Sequence, residues 1–519
     1  MSLVRNTAVQ ASLTLVSRIL GFGRDILLAA KIGAGPIGDA FFAALMFPNL
    51  FRRFFAEGAF AQAFVPTYAR TLEADGPEAA AEVAAEAMRV LFAATAAIVI
   101  FAQIAMPWIM IAFNGAYLDQ PDIFGLSVIL TQITMPYLAC MALAALYAGV
   151  LNSAGKFALS AGAPTLLNIC LIGAALLGTD ARNTAQYAAI AISVAGALQA
   201  LLLAWGVRRQ GVQLSLLAWP RVTPNVKKVI GLAIPGAIAA SGMQINILIS
   251  QVLAGFEEGA RSWLQYADRL YQLPLGLVGV AVGVAILPRL SRSVRADDQT
   301  SSRRTLDDGI GLAMAFTLPA AIALLIIPTL LLEALFARGA FTLDDASQSS
   351  TALVHFAWGV PAFVLIKVLS PAFFAREDTR TPMRYSLISV AINTGFGATL
   401  FFWLKGQGLP GFPGLAIATS TAAWINVTMM LGTLHARDWY RPGRRLIDRL
   451  TRCALASATL SAVLLSARFD LAGILDWLPR TSLAQVLTIV ATGGVAYAIA
   501  ALLFGAIRPS ELKALARRN

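Results

Sequence analysis

The chain has 519 residues, 58% of them hydrophobic and 13% charged, with 40 Lys and Arg against 28 Asp and Glu and a formal charge of +12. Soluble chains of this size keep roughly a quarter of their residues charged. With a mean hydropathy of +0.71, this one has too little polar surface to cover a soluble fold, and that class is excluded.

Apolar runs of 18 or more residues recur from end to end, each long enough for a hydrocarbon core of about 30 Å. The reading is an all-α polytopic membrane protein with about fourteen transmembrane helices. The expected spans are 7–32, 38–66, 88–113, 123–151, 158–178, 185–206, 227–255, 262–288, 308–336, 348–374, 383–404, 412–434, 453–467 and 482–507. The opening MSLVRNTAVQASLTLVSR has no small-x-small processing site after a short apolar core, so it reads as retained. With both ends on one side, 27 of the 40 Lys and Arg fall on that face and seven on the other. The positive-inside rule then places both termini in the cytoplasm. The basic excess is a topology signal, and no nucleic-acid partner is expected.

The first two spans carry Arg18, Arg24, Asp25, Arg52, Arg53 and Glu57. An arginine near the bilayer centre costs about 2.5–3.5 kcal/mol on insertion scales, so such residues face a cavity or a partner. Four of them in neighbouring helices point to an anion held within the membrane. Ser17 and Arg24 are seven residues apart, as are Arg18 and Asp25, so each pair shares a helix face. Gly21 and Gly23 between them predict a helix broken at the level of the charges, as occurs where freed backbone lines a cavity.

GAGPIG (33–38) reads as a tight outer turn, and Asp39 after it suits the N-cap of the second span. Asn49, Arg52 and Arg53 share one face, with Glu57 a turn beyond Arg53. Arg53 and Glu57 read as a structural ion pair. The acidic, alanine-rich 71–87 predicts a cytoplasmic amphipathic or exposed helix, and spans three to six are weakly polar.

The basic, Pro-containing stretch after residue 208 is the best lobe boundary. The expected domains are an N-terminal six-helix lobe (1–210), a linker (211–226), a C-terminal six-helix lobe (227–436), and a basic linker with two extra helices (437–519). The lobes show a weak repeat. Gly33, Ala34 and Pro48 align with Gly259, Ala260 and Pro274 at one offset, and FVPTYAR (64–70) matches ILPRLSR (286–292). Six spans separate the copies, so the repeat is parallel. Arg24–Asp25 falls opposite Ser250–Gln251, whereas the second copy carries Asp268–Arg269 within YADRLYQLP. A site taking Arg24 and Arg52 from one lobe and Arg269 from the other follows. Lys367 is the remaining intramembrane cation and is placed to snorkel inward.

SRILGFGRD, GDAFFAALMFPNLFRRFFAEGAFAQAFVP, YADRLYQLP and GVAILPRLS together resemble the MurJ (MviN) family of lipid II flippases, within the wider superfamily of multidrug and oligosaccharidyl-lipid exporters. The resemblance spans all fourteen expected helices. It implies a multi-pass protein of the bacterial cytoplasmic (inner) membrane, not an enzyme. Such a protein moves the undecaprenyl-diphosphate-linked peptidoglycan precursor from the inner to the outer leaflet by alternating access. It implies a groove for the polyprenyl tail in the two extra helices, with lipid II and membrane lipids as partners and room for cell-wall synthesis proteins. No cofactor or metal is expected. Family residues important for transport match Ser17, Arg18, Arg24, Asp25, Asp39, Asn49, Arg52, Ser262, Asp268 and Arg269. Gln272 stands where some members have glutamate.

Two other readings compete. A flippase for another polyprenyl-diphosphate-linked oligosaccharide shares the diphosphate chemistry. A membrane-embedded glycosyltransferase needs an acid/base or metal constellation. The compact outer acidic pairs, Asp119 and Asp122, Glu257 and Glu258, Asp344 and Asp345, have no histidine or third acid nearby in sequence.

Overall fold

Apolar sequence of this length leaves the backbone no water to bond, so each segment satisfies its own amides as helix. The computed structural model describes residues 3–55, 59–216, 218–468 and 483–507, and among them there are helices and no strands. Helix α1 (Leu3–Ile32) ends at Gly33, whose φ of +77° is the left-handed conformation that only glycine adopts cheaply. The turn leads into α2 (Pro36–Phe55), then α3 (Ala59–Ala74) and the 38-residue α4 (Gly76–Phe113). The acidic stretch 71–87 is no separate helix: it ends α3 and begins α4, which runs unbroken into the membrane span.

Several expected spans are two helices, broken at Pro or Gly. Span 123–151 is α5 (Pro121–Thr134) and α6 (Tyr137–Ser153), with Pro136 at the junction. Span 158–178 is α7 (Phe157–Gly162) and α8 (Pro164–Leu177). Proline removes an amide donor and clashes with the preceding turn, so the break falls there. Next come α9 (Ala181–Arg208), capped by the Asp180 side chain on the Asn183 amide at 2.9 Å, and α10 (Pro224–Ala254), with Pro224 in its first turn.

Helix α11 (Ala260–Pro274) passes through a π turn, Leu275–Gly279, into α12 (Val280–Arg295). Then follow α13 (Gln299–Ile326), α14 (Pro328–Phe336), α15 (Leu343–Ala357), α16 (Val360–Phe374), α17 (Arg380–Gly406), α18 (Phe412–Ala436), α19 (Arg444–Arg468) and α20 (Leu483–Leu503). Ten of these helices or consecutive pairs are long and apolar enough to cross a membrane among the described residues. Helices α1, α2 with α3, α10, and α11 with α12 overlap the other four expected spans. Gly259, the counterpart of Gly33 in the sequence repeat, has φ +79°, so both copies start from the same left-handed turn.

Two units emerge. One holds Met1–Ser262 and Arg338–Thr342, the other Trp263–Ala337 and Leu343–Asn519. The first is centred on Phe41, Phe64, Tyr137, Leu146 and Ile192, all buried, with α10 packed on α3 and α4. Outward-facing Phe101, Ile104 and Trp108 of α4 are each 67% exposed, as lipid contact requires. The second unit has one core along α12, α13, α16 and α18, and another where α19 and α20 close on α13 through Cys453, Leu460, Leu464 and Tyr497.

Candidate functional site

An arginine in an apolar helix needs acceptors, and α1 and α8 supply them to Arg24. Its Nε and Nη2 donate to Asp25 Oδ1 at 2.9 and 2.6 Å, and its Nη1 donates to Asn168 Oδ1 at 2.9 Å. The Asn168 amide nitrogen donates in turn to the Ser17 carbonyl at 2.8 Å and the Ser17 hydroxyl at 3.4 Å. Ser17, Arg24 and Asp25 thus meet around an asparagine of α8. The Arg24 and Asp25 side chains are only 11% and 12% exposed, a desolvated pair.

The expected break at Gly21 and Gly23 is absent: α1 is continuous. A glycine costs a helix roughly 1 kcal/mol against alanine, too little to open a 30-residue one. A Cβ at Gly21 would touch Asn168 at ordinary distance, and one at Gly23 would meet open space. Arg18 is exposed, and Asp25 pairs with the adjacent Arg24.

A second polar cluster lies at the outer turn. Asp39 is fully buried and does not cap its own helix; it sits inside the first turn of α2, its amide bonded to Gly35 O. Its Oδ1 accepts from the Ser262 amide at 2.9 Å and the Ser262 hydroxyl at 2.6 Å. Its Oδ2 accepts from the Tyr117 hydroxyl and the Gly259 amide, both at 2.8 Å. A carboxylate on free amides at the start of α11 satisfies a helix N-terminus from outside. Burial, and then the neighbouring Asp39, push the Tyr117 hydroxyl above its ordinary range, so it remains a donor. Arg261, which the sequence places among the outer loop cations, is completely buried beside this cluster.

The turn has no room for a side chain at Gly33 or Gly38. A Cβ at Gly38 would lie 2.7 Å from Gly33 O and 2.9 Å from Ser262 Oγ, and one at Gly33 would lie 2.5 Å from Ala340 O. Segment Arg338–Thr342 belongs to this unit, and its Ala340 amide donates to Ala30 O at 2.7 Å.

In the second unit Asp268 and Arg269 lie half-buried on α11, and Gln272 Nε2 donates to Asp268 Oδ2 one turn away. The amide at 272 therefore serves as a donor to that carboxylate, which a glutamate there would do only when protonated. Lys367 on α16 is exposed. Between α13, α19 and α20 runs a groove of about 390 Å³, lined by Phe316, Leu460, Leu464, Gly494, Tyr497 and Leu502. Asn49 is half-buried on α2. Glu57 and the side chains of Arg52 and Arg53 fall outside the described residues, and with them the expected Arg53–Glu57 pair.

Sequence reasoning missed Asn168, Tyr117, Asn114 and Arg261. Asn168 alone carried a signal, as the one polar residue in the apolar run LLNICLIG.

A family model described as "Lipid II flippase MurJ" matches residues 28–483. A "Probable lipid II flippase MurJ" of Rhizobium tropici is 40% identical over 519 residues, covering 98% of this chain and 95% of that one. A protein of the same name from Vibrio cholerae is 34% identical, covering 99% and 98%. Among solved structures, "Lipid II flippase MurJ, inward closed conformation" aligns with TM-score 0.79 at 24% identity, covering 96% and 98%. An inward-facing multidrug resistance MATE family transporter of the MOP superfamily aligns with TM-score 0.67 at 15% identity, covering 83% and 98%. These two likenesses concern the fold.

Proposed function

We infer the mechanism below from one premise: this chain belongs to the lipid II flippase MurJ family. It is a lipid II flippase, a multi-spanning transporter and not an enzyme. We place it in the bacterial inner membrane with both termini in the cytoplasm, where the arginine distribution puts them.

The chemistry to be solved is the passage of a diphosphate through a region where a bare charge is prohibitive. The observation that carries our reading is the Arg24 guanidinium, largely buried and held between Asp25 and Asn168 where α1 meets α8. A guanidinium has five N–H donors and no acceptor. Asp25 and Asn168 leave part of that fork free for phosphate oxygens, which arginine binds bidentately while staying charged. Arg18, Asn49, Arg52, Asp268 and Arg269 are the further head-group residues of this proposal, alongside Ser17, Arg24 and Asp25. Asp39 and Ser262 act at the outer turn. The groove beside α19 and α20 suits an apolar polyprenyl tail. Alternating access then carries the head group outward, and a negative interior favours that step by about 2.3 kcal/mol per charge per 100 mV. Cell-wall synthesis proteins that consume lipid II are the partners this role admits.

The test is depletion of the protein in living cells. Lipid II should accumulate where only the inner leaflet holds it, and the parent chain should reverse this. Arg24→Ala should insert and accumulate yet fail to reverse it, and Arg24→Lys should do so partly, because a point charge replaces a fork. Unimpaired export by Arg24→Ala would refute the role of this arginine.

A further inference from the structure

Arg261 is a completely buried cation on no path the transport reading uses, and its surroundings are built for it. Its Nη1 donates to Asn114 Oδ1 at 2.7 Å and to the Asp39 carbonyl at 3.2 Å. Its Nη2 donates to the carbonyls of Phe113 and, at 3.0 Å, Gln251. Phe113 ends α4 and Gln251 lies in the last turn of α10, so the guanidinium sits against two helix C-termini, where a positive charge is favoured. The slot exists because residue 255 is glycine: a Cβ there would stand 2.0 Å from Phe113 O and 2.5 Å from Arg261 Nη2. Gly255 has φ −70°, so space and not backbone conformation demands it.

The same arginine is electrically tied to Asp39. The four groups that hydrogen-bond the Asp39 carboxylate, from Ser262, Tyr117 and Gly259, are all neutral. Arg261, whose Nη1 reaches the Asp39 carbonyl at 3.2 Å, brings a full positive charge beside them. Consecutive residues thus grip Asp39 at two points: Arg261 on its carbonyl, Ser262 on its carboxylate. Around them Arg261 Nε and Asn114 Nδ2 are buried without a partner.

We propose that Arg261 is the positioning residue and counter-charge of Asp39, locking the outer turn of this unit to the ends of α4 and α10. Its consequence for flipping rests on the transport role of Asp39 given above; its geometry does not. A residue that only fills space would show a different signature. Neutralising one member of a buried pair leaves an uncompensated charge, whereas neutralising both restores balance.

The experiment uses the full chain in membrane vesicles, with Cys140, Cys170 and Cys453 replaced and one cysteine introduced at buried Ala260. The readout is the rate of labelling by a membrane-impermeant maleimide. Arg261→Gln should speed labelling by about tenfold or more, and so should Asp39→Asn, while Asp39→Asn/Arg261→Gln should return to within about threefold of the parent. Arg261→Lys, keeping charge but losing the fork, should fall between parent and Arg261→Gln. Arg261→Gln labelling at the parent rate, or a double variant as fast as either single, overturns the proposal. If Arg261→Gln does not accumulate, the double variant decides: accumulation restored supports the pairing, and accumulation still lost overturns it. Normal flipping by Asp39→Asn would refute the transport role of Asp39 while leaving this labelling pattern intact, so the two failures separate.

Discussion

Replacing Asn168 with Leu keeps the side chain's bulk and removes both of its hydrogen-bonding groups. Arg24 Nη1 then loses its 2.9 Å acceptor, and the Ser17 carbonyl loses its 2.8 Å donor, at a position only 6% exposed. A bond to a charged group contributes about 1.5–3 kcal/mol and a neutral one about 0.5–1.5 kcal/mol. Together they amount to about 2–4 kcal/mol, and because Asp25 still holds the other side of the guanidinium the lower end applies. If the placement of Arg24 limits flipping, the rate should fall roughly 30- to 100-fold. The assay measures lipid II reachable from outside in depleted cells, beside the amount of inserted protein. Asn168→Asp separates placement from charge: it keeps an acceptor for Arg24 but adds a negative charge beside the diphosphate path, so it should flip slowly while accumulating normally. Asn168→Leu flipping at more than about half the parent rate would refute the reasoning, since even the weaker bond predicts more.

Gly38→Ala should lower the thermal midpoint in detergent, because its Cβ meets the Gly33 carbonyl at 2.7 Å and backbone must move, at a cost of about 1–3 kcal/mol; Gly23→Ala, with nothing within 4 Å, should not. Gly494→Trp has open space at its Cβ and points its ring along the groove, so it should block flipping while the protein accumulates, if the groove takes the lipid tail. Burial works against ionisation of Asp378 between α16 and α17, but the Thr381 hydroxyl and amide and the Arg437 guanidinium outweigh it and hold its pKa at about 2, below the ordinary 3.8. A depressed folded-state pKa contributes stability that is full above pH 4 and lost as pH falls toward 2. Melting followed against pH should therefore show a decline between pH 4 and 2 in the parent that Asp378→Asn lacks.

The membrane class, the helical fold and the concentration of charge in the first helices were legible because each follows from composition and spacing along one segment. The repeat was legible for the same reason: a glycine before an apolar run marks a left-handed turn, and Gly33 and Gly259 both adopt it. What escaped was decided across the chain. Asn168 meets Arg24 from 144 residues away and Arg261 meets Asp39 from 222, and no local period encodes either distance. Arg261 counted only as one of the outer-face cations because its burial depends on a missing Cβ at Gly255 and on two helix ends that arrive from elsewhere. The reading of Gly21 and Gly23 failed on magnitude, since two glycines cannot outweigh the other hydrogen bonds of α1.

A carrier that moves an anion outward must return without it, and an arginine left alone in a low-dielectric region would make that return the costly half of the cycle. In the reading proposed above, Asp25 meets this difficulty by its position. It lies next to Arg24 in sequence and takes two of the guanidinium's donors onto one oxygen, which offsets that arginine's charge from within the same helix. In the cycle proposed above, a diphosphate binds the donors that Asp25 and Asn168 leave free, and the carboxylate keeps its hold on the rest of the fork when the substrate departs. Asn168 serves both states alike, because a neutral amide accepts from Arg24 without adding to the charge count.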